Sequence, residues 1–307
     1  MRNFGLLGEK LGHSLSPEIH RIIFKKLNIE GTYALFEIKK ENFCKALDSV
    51  KTLNIQGVNV TIPYKEDIIK QIEFISSEAK RIGAINTVKI IDNKVFGYNT
   101  DYYGFGYMLS KGSISIKGKD FYVLGSGGAA KAVVAYLEDN GAESINLVSR
   151  NKKNAKESFS GFDVNVIDYD DLKKKKGYCI INTTPVGMYP KIDFSPVGKK
   201  VIINFNVAVD IVYNPLETKF LKIAKDLGLK CIDGLYMLVG QGVKAEEIWN
   251  DIKIDNEILD IILEHHPSFT LTELHWKTVG IPHCLPHFLA FQRQEESLIL
   301  QFENMHV

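Results

Sequence analysis

Lys65 and Asp101 are the residues in this chain whose types and settings could move a proton. Lys65 closes the run Gly57-Val58-Asn59-Val60-Thr61-Ile62-Pro63-Tyr64-Lys65, which reads as a buried strand turning into a helix at Pro63. Thr61 and Lys65 then stand at the carboxyl edge of a sheet, where α/β proteins keep their ligands. A lysine in a first helical turn is usually plain solvated surface, yet the helix dipole favours acids there, so a positioned role is its rival reading. Asp101 follows Gly97-Tyr98-Asn99-Thr100 at the entry to a helix, where it could serve only as a favourable N-terminal carboxylate. Across a cleft from Lys65, it would complete an acid–base pair. Two further groups suit a polar ligand. Asn86 and Thr87 interrupt the apolar strand Gly83–Val88, and Ser14 and Ser16 precede Pro17 at a helix start. Ser16 fits the N-cap and Pro17 the first helical position, leaving Ser14 spare; two hydroxyls beside a positive helix terminus suit a small carboxylate.

A second constellation points to a nucleotide. Phe121-Tyr122-Val123-Leu124 runs directly into Gly125-Ser126-Gly127-Gly128-Ala129-Ala130, an apolar strand against a glycine turn and a helix start. Gly125 permits the tight turn, Gly127 lets the backbone approach a pyrophosphate, and Ala130 lets the helix pack closely on the strand. The next strand ends in Val148-Ser149-Arg150-Asn151-Lys152-Lys153. An NAD site would offer an acid to the ribose hydroxyls at this point; the basic residues found there suit a ribose 2′-phosphate, so NADP is expected.

These groups need an alternating α/β scaffold. Apolar runs and 3.6-residue periodicity predict strands at 4–7, 34–38, 57–61 and 85–91, with helices at 17–27, 41–53 and from Pro63. A bridging helix over 101–109 leads into the glycine turn, whose helix runs to about Asn140 before Gly141. Strands follow at 144–148, 164–167, 178–182, 201–203 and 209–212, then helices from Leu235 through Trp249 and over 256–264. Because the glycine turn lies mid-chain, the 120 residues before it must form the part that holds the substrate.

Composition excludes several classes. The chain has 307 residues, room for two domains, and 38 basic side chains nearly balance 37 acidic ones, so no net field draws nucleic acid or an anionic membrane. No apolar run reaches the ~18 residues of a membrane span and no signal peptide is evident, so a cytoplasmic protein is expected. Cys44, Cys179, Cys231 and Cys284 are scattered and read as buried free thiols. After His265 the style changes: the last 42 residues hold two basic residues, five of the eight histidines and three of the nine prolines. Residues 265–307 therefore read as an appendage of the kind left by an expression tag or vector sequence. His283, Cys284 and His287 lack a fourth ligand, and no metal is expected.

Taken in order, the motifs resemble the shikimate dehydrogenase family over roughly residues 3–264. They are Ser-Leu-Ser-Pro (14–17), Asn-Val-Thr-Ile-Pro-Tyr-Lys (59–65), Gly-Ala-Ile-Asn-Thr (83–87), Asn-Thr-Asp (99–101), the glycine loop (125–130), Asn-Thr-Thr-Pro-Val-Gly-Met (182–188), Asp-Ile-Val-Tyr-Asn-Pro-Leu-Glu-Thr (210–218) and Asp-Gly-Leu-Tyr-Met-Leu-Val-Gly-Gln (233–241). The resemblance implies a two-domain α/β enzyme that reduces 3-dehydroshikimate to shikimate with NADPH. Its substrate domain, with a mainly parallel sheet, would comprise 1–100 plus 237–264, and its Rossmann-type NADP-binding domain 101–236. Lys65 and Asp101 would be catalytic, and Ser14, Ser16, Thr61, Asn86, Tyr213 and Gln241 would hold the substrate. NADP would meet Gly125, Ser126, Gly127, Gly128 and Ala129, then Ser149, Arg150, Asn151 and Lys153. Thr183, Thr184, Gly187, Met188, Val212, Gly234 and Met237 would complete its site. The family's small-molecule chemistry needs no nucleic acid or membrane, and a monomer or homodimer is expected. Two enzymes or proteins of the same fold are alternatives: a quinate/shikimate dehydrogenase with relaxed NAD/NADP use, and a non-catalytic NADP-binding sensor. The chain departs from the pattern at Glu246, where an aromatic is expected, and at Asn206-Val207-Ala208, where a polar or glycine-rich approach is expected.

Overall fold

Two six-stranded sheets carry the chain, as a computed structural model describes it for residues 1–12, 14–255 and 257–264. Both lie in one unit, Met1–Ile262. The first is built from β1 (Arg2–Gly8), α1 (Ser16–Leu27), β2 (Gly31–Glu37), α2 (Ala46–Thr52), β3 (Gly57–Val60), β4 (Phe74–Ile75), α3 (Ser77–Ile82), β5 (Thr87–Ile91) and β6 (Lys94–Tyr98), in the order β2-β1-β3-β5-β6-β4. Three of its five pairings are parallel, β1 with β2 and β3, and β4 with β6; β5 runs antiparallel to both β3 and β6. The hairpin between β5 and β6 turns on Asp92 and Asn93, both at positive φ, the short polar residues that tolerate the left-handed region. Its second strand delivers Asn99 to the start of α4 (Thr100–Lys111).

The second sheet comprises β7 (Asp120–Leu124), α5 (Gly128–Asp139), β8 (Ser144–Val148), α6 (Lys152–Ser158), β9 (Asn165–Ile167), α7 (Tyr169–Leu172), β10 (Gly177–Asn182), α8 (Lys199–Ile202), β11 (Phe205–Asp210), α9 (Lys219–Asp226) and β12 (Lys230–Ile232). Its order is β12-β11-β10-β7-β8-β9 with every pairing parallel, the doubly wound arrangement with the switch point between β7 and β10. A parallel sheet must be covered on both faces, and alternate side chains along β7 show it. Phe121 and Val123 join one core, Tyr122 and Leu124 the other. The chain then returns through α10 (Leu235–Asn250) and α11 (Glu257–Glu264).

Helices α4 and α10 pack at glycines. A Cβ on Gly104 would lie 2.5 Å from the Met237 carbonyl oxygen, and one on Gly240 would lie 3.2 Å from the Gly104 Cα, so only glycine allows this approach. At the other end of α10, Trp249 stacks on Phe4 at 4.7 Å and donates its indole N–H to the Val88 carbonyl, tying the helix to the first sheet.

Several sequence expectations need correction. No helix begins at Pro63: residues 62–66 form turns, followed by a 3-10 segment at Asp67–Gln71. The apolar run 201–203 forms the end and C-cap of the short helix α8, because three residues carry too little periodicity to separate strand from helix. The strand expected at 209–212 is β11, which starts at Phe205 and so contains Asn206-Val207-Ala208, with Asn206 exposed and the next two buried. The helix expected over 41–53 divides into a 3-10 turn at Lys40–Lys45 and α2. Cys44 is exposed rather than buried, while Cys179 is buried and Cys231 half-buried; all three are free thiols. The expected appendage at 265–307, with His283, Cys284 and His287, lies outside the described residues. Among the described residues no helix is long and apolar enough to cross a membrane. No group of three or more His, Cys, Asp or Glu could hold a metal ion there.

Candidate active site

The carboxyl ends of β1 and β3, the starts of α1 and α4, and one face of α10 converge on a cleft of about 480 Å³. All eight residues expected to act on the substrate line it: Ser14, Ser16, Thr61, Lys65, Asn86, Asp101, Tyr213 and Gln241. Lys65 Nζ lies 2.6 Å from Asp101 Oδ2, and the side chains are 22% and 10% exposed, so the ammonium is reachable from the cleft but shielded from bulk water. The plain capping role of Asp101 falls to its neighbour. Asn99 caps α4 by accepting from the Tyr102 N–H, which frees the Asp101 carboxylate to face the pocket.

Asn86 organises this pair from below. Its Nδ2 donates to Asp101 Oδ1 at 2.9 Å and to Gln241 Oε1 at 3.3 Å, while its Oδ1 accepts from the Thr100 N–H at 2.7 Å. A polar pair inside an apolar strand thus has a definite use. It links α4, α10 and the start of β5 through one amide that is 2% exposed. Asn59, which the sequence reading did not single out, also lines the cleft; it donates to Thr87 Oγ1 at 3.0 Å and accepts from the Tyr33 hydroxyl at 2.8 Å. Its signal was its position, inward-facing on a strand whose other residues are apolar.

At the α1 terminus the cap expected of Ser16 is absent, because Leu15 holds the N-cap position and no side chain caps the helix. Ser14 Oγ accepts from the Ser16 N–H at 3.2 Å, and Ser16 begins the helix without capping it. The Ser16 hydroxyl bonds Tyr33, whose own hydroxyl is held protonated by burial, against the opposing effect of that hydrogen bond. Glu246, the departure from the family pattern, is fully buried and takes His20 Nδ1 at 2.5 Å on one oxygen and Asn250 Nδ2 at 2.7 Å on the other. His20 in turn stacks on Tyr33 with centroids 4.0 Å apart. A buried carboxylate is tolerated here because every oxygen has a donor.

Ala129, Met188, Gly234 and Met237 line the same cleft from the second sheet, so the two expected sets of residues meet. A neighbouring cavity of about 930 Å³ holds Gly125, Ser126, Gly127, Ser149, Arg150, Asn151, Thr183 and Thr184. It tests the fit of a dinucleotide. Gly125 sits at φ +105° and a Cβ there would lie 2.9 Å from Thr184 Cγ2, whereas Cβ atoms on Gly127 and Gly128 would meet nothing within 4 Å. The tight turn and open backbone needed by a pyrophosphate are therefore both present. Asn151 caps α6 by accepting from the Asn154 N–H. Lys152 is committed to Asp168 at 2.7 Å and Asp171 at 3.2 Å, while Arg150 forms no ion pair among the described residues and lines the cavity. Asn154 and Tyr169 line it too and were not anticipated. Four expected cofactor residues line neither cavity. Gly128 and exposed Lys153 lie beside the second cavity, Gly187 lines an adjoining apolar pocket, and Val212 is buried behind the wall.

A model of the shikimate dehydrogenase substrate binding domain matches residues 6–88. Over 265 residues the chain is 57% identical to the shikimate dehydrogenase (NADP(+)) of Clostridium perfringens, covering 86% of this chain and 98% of that protein. The chain belongs to the shikimate dehydrogenase family. The similarity extends to the shikimate dehydrogenase (NADP(+)) of Methanococcus vannielii, at 40% identity over 83% of this chain and 93% of that one. Among solved structures, shikimate dehydrogenase 1 of Peptoclostridium difficile superimposes with a TM-score of 0.78 at 49% identity, covering 91% of this chain and all of that one. The Thermus thermophilus shikimate 5-dehydrogenase in complex with NADP(H) and shikimate gives 0.78 at 34% identity, over 85% and 98% of the two chains.

Two acids of the second sheet, fully buried Asp210 at the end of β11 and half-buried Asp233 after β12, sit behind the segments that line the cleft in this shikimate dehydrogenase family member. Burial pushes the Asp210 carboxyl up to about 7, against hydrogen bonds from Thr218, the Val212 N–H and Asn182 that favour its charged form. Burial also raises Asp233. Because the native state of Asp210 holds its proton above the ordinary carboxyl value of about 3.8, its contribution to stability is complete below pH ~4 and is lost as pH rises to about 7. Unfolding free energies of the native chain from urea titration should therefore fall from pH 5 to pH 8 more steeply than those of Asp210→Asn, by an amount on the order of 3 kcal/mol. Parallel curves for the two proteins would refute this.

Proposed function

We propose that this enzyme reduces the ring ketone of 3-dehydroshikimate to the alcohol of shikimate, reversibly, with NADPH, on the route to chorismate and the aromatic amino acids. The observation that carries this reading is the Lys65–Asp101 pair, 2.6 Å apart, at the floor of a cleft that two serines, Thr61, Asn86 and Gln241 make polar. NADPH bound along the second sheet would supply the hydride. Lys65 gives its proton to the substrate oxygen as negative charge develops there, combining charge stabilisation with general acid catalysis at one atom. The pair of electrons in the carbonyl π bond becomes the new O–H bond, and the amine of Lys65 recovers a proton from solvent through the cleft. Ser14 and Ser16 hold the substrate carboxylate, and Thr61, Asn86, Tyr213 and Gln241 read its ring hydroxyls. Residues 1–100 plus 237–264 would form the substrate domain and 101–236 the NADP-binding domain. Free thiols at Cys44, Cys179 and Cys231 fit a cytoplasmic enzyme, acting as a monomer or homodimer on a small molecule.

The test is reduced-nicotinamide absorbance with shikimate or quinate offered with NADP⁺ or NAD⁺. Strong turnover with shikimate and NADP⁺ alone supports the reading. Comparable rates with quinate or NAD⁺ replace it with a relaxed paralogue, and NADP⁺ binding without turnover replaces it with a sensor. The Arg150 guanidinium, without an ion pair among the described residues, is the group suited to the 2′-phosphate. Arg150→Ala should lower kcat/KM with NADP⁺ by roughly 10- to 100-fold and leave the NAD⁺ value within about 3-fold. Equal losses with both nucleotides would remove Arg150 from that role.

A further inference from the structure

Asp210 ends β11 with its carboxylate fully buried and, among the described residues, without a basic partner in hydrogen-bond contact. Both oxygens are used, two donors from the segments beside the cleft meeting Oδ1 and one from the start of α9 meeting Oδ2. Oδ1 accepts from Asn182 Nδ2 at 3.0 Å and from the Val212 N–H at 3.0 Å, and Oδ2 accepts from the Thr218 hydroxyl at 2.7 Å. Asn182, at the end of β10, relays the constraint. Its Nδ2 also donates to the Val186 carbonyl at 3.2 Å, and its Oδ1 accepts both the Thr184 N–H at 3.0 Å and the Thr184 hydroxyl at 2.7 Å. Thr218 caps α9 through the Leu221 N–H. One carboxylate therefore braces the turn after β10 against the exit of β11, alongside two backbone bonds, Ile211 N–H to the Asn182 carbonyl at 3.1 Å and Tyr189 N–H to the Asn214 carbonyl at 2.9 Å.

We propose that Asp210 is a positioning residue for the dinucleotide, acting through Asn182 to set the 183–188 turn at the height of the 211–213 segment. The inference rests on the functional reading above. Those two segments carry Thr183, Thr184 and Met188 on one side and Tyr213 on the other, and they lie at the carboxyl ends of adjacent strands of a doubly wound sheet. Loop segments of this kind have no ladder of their own, so their height above the sheet depends on side chains that reach under them. The substrate's other contacts come from the first sheet and from α10, which Asp210 does not touch. Loosening this carboxylate should thus weaken the nucleotide and spare the substrate.

The test combines NADP⁺ titration calorimetry with steady-state kinetics on the full chain. Asp210→Ala should raise the NADP⁺ Kd and the NADPH KM by about 10-fold or more with the shikimate KM within about 3-fold, and Asp210→Asn, which keeps the Oδ1 acceptor and can donate to Thr218, should restore both to within about 3-fold of native. A residue that only held the fold would lower the melting temperature in Asp210→Ala and leave Kd and KM of the folded fraction unchanged, which overturns the proposal. Should Asp210→Ala not fold, Thr218→Val decides: it removes one donor away from the cleft and should raise the NADP⁺ Kd about 2- to 5-fold, and an unchanged Kd overturns the proposal equally. A native protein that binds no NADP⁺ would instead defeat the functional reading itself, so the two failures are distinct.

Discussion

Lys65→Ala should lower kcat for shikimate oxidation by roughly 10³-fold while the shikimate KM moves by less than about 10-fold. The asymmetry follows from where Lys65 sits. Its ammonium is held by Asp101 at 2.6 Å, so in the resting site it is already charge-paired and contributes modestly to holding a neutral ring hydroxyl. In the transition state the oxygen it faces carries developing negative charge, and an ammonium there is worth far more than in the ground state. Removing it leaves in place the serines proposed to bind the carboxylate and the amides proposed to read the ring. The measurement is initial rates over a matrix of shikimate and NADP⁺ concentrations, with shikimate affinity checked by calorimetry. Equal damage to kcat and to affinity would make Lys65 a binding residue and remove it from the proton transfer.

Asp101→Asn should cost roughly 10²- to 10³-fold in kcat and, unlike the lysine variant, should also weaken shikimate binding by about 10-fold. The carboxylate accepts from two donors, Lys65 Nζ on one oxygen and Asn86 Nδ2 on the other. An amide at this position must aim its own NH₂ at one of them, so a donor meets a donor whichever way it turns. If the NH₂ faces Lys65, the ammonium loses its partner and swings away. If it faces Asn86, the disturbance reaches Gln241 and Thr100 through the Asn86 amide. Both faults misplace groups that read the substrate ring, hence the added loss of affinity. Retention of native kcat in Asp101→Asn would show that Lys65 needs no counter-ion to work.

Much of this site was legible because short loops at strand ends repeat residue types with few other uses. The glycine turn, the serine pair and the 59–65 run announced themselves locally, and all the substrate and catalytic positions they implied meet in one cleft. What sequence could not reveal depends on long-range partners. Asn59 and Tyr33 look like ordinary strand residues until β1, lying between β2 and β3, brings their side chains to 2.8 Å. Glu246 reads as a departure until His20, 226 positions away, appears opposite it. The missed β6 had a local signal, Asp92-Asn93 flanked by apolar residues, which is a hairpin turn sequence. The turn after β3 was misread because Pro63 is equally at home at a helix start and in a turn, and only the tertiary setting chooses.

The glycine crossing of α4 and α10 has a mechanical meaning for catalysis. Asp101 lies one turn before Gly104, and Gln241 adjoins Gly240, so two of the groups proposed to hold the substrate sit beside the point where the helices touch. A side chain at either glycine would wedge the two helices apart, and Asp101 and Gln241, both held by the Asn86 amide at 2.9 and 3.3 Å, would be drawn off that shared donor. The bare backbone at the crossing therefore acts as a gauge block, setting the spacing of the acid and the two amides by the thickness of the main chain alone.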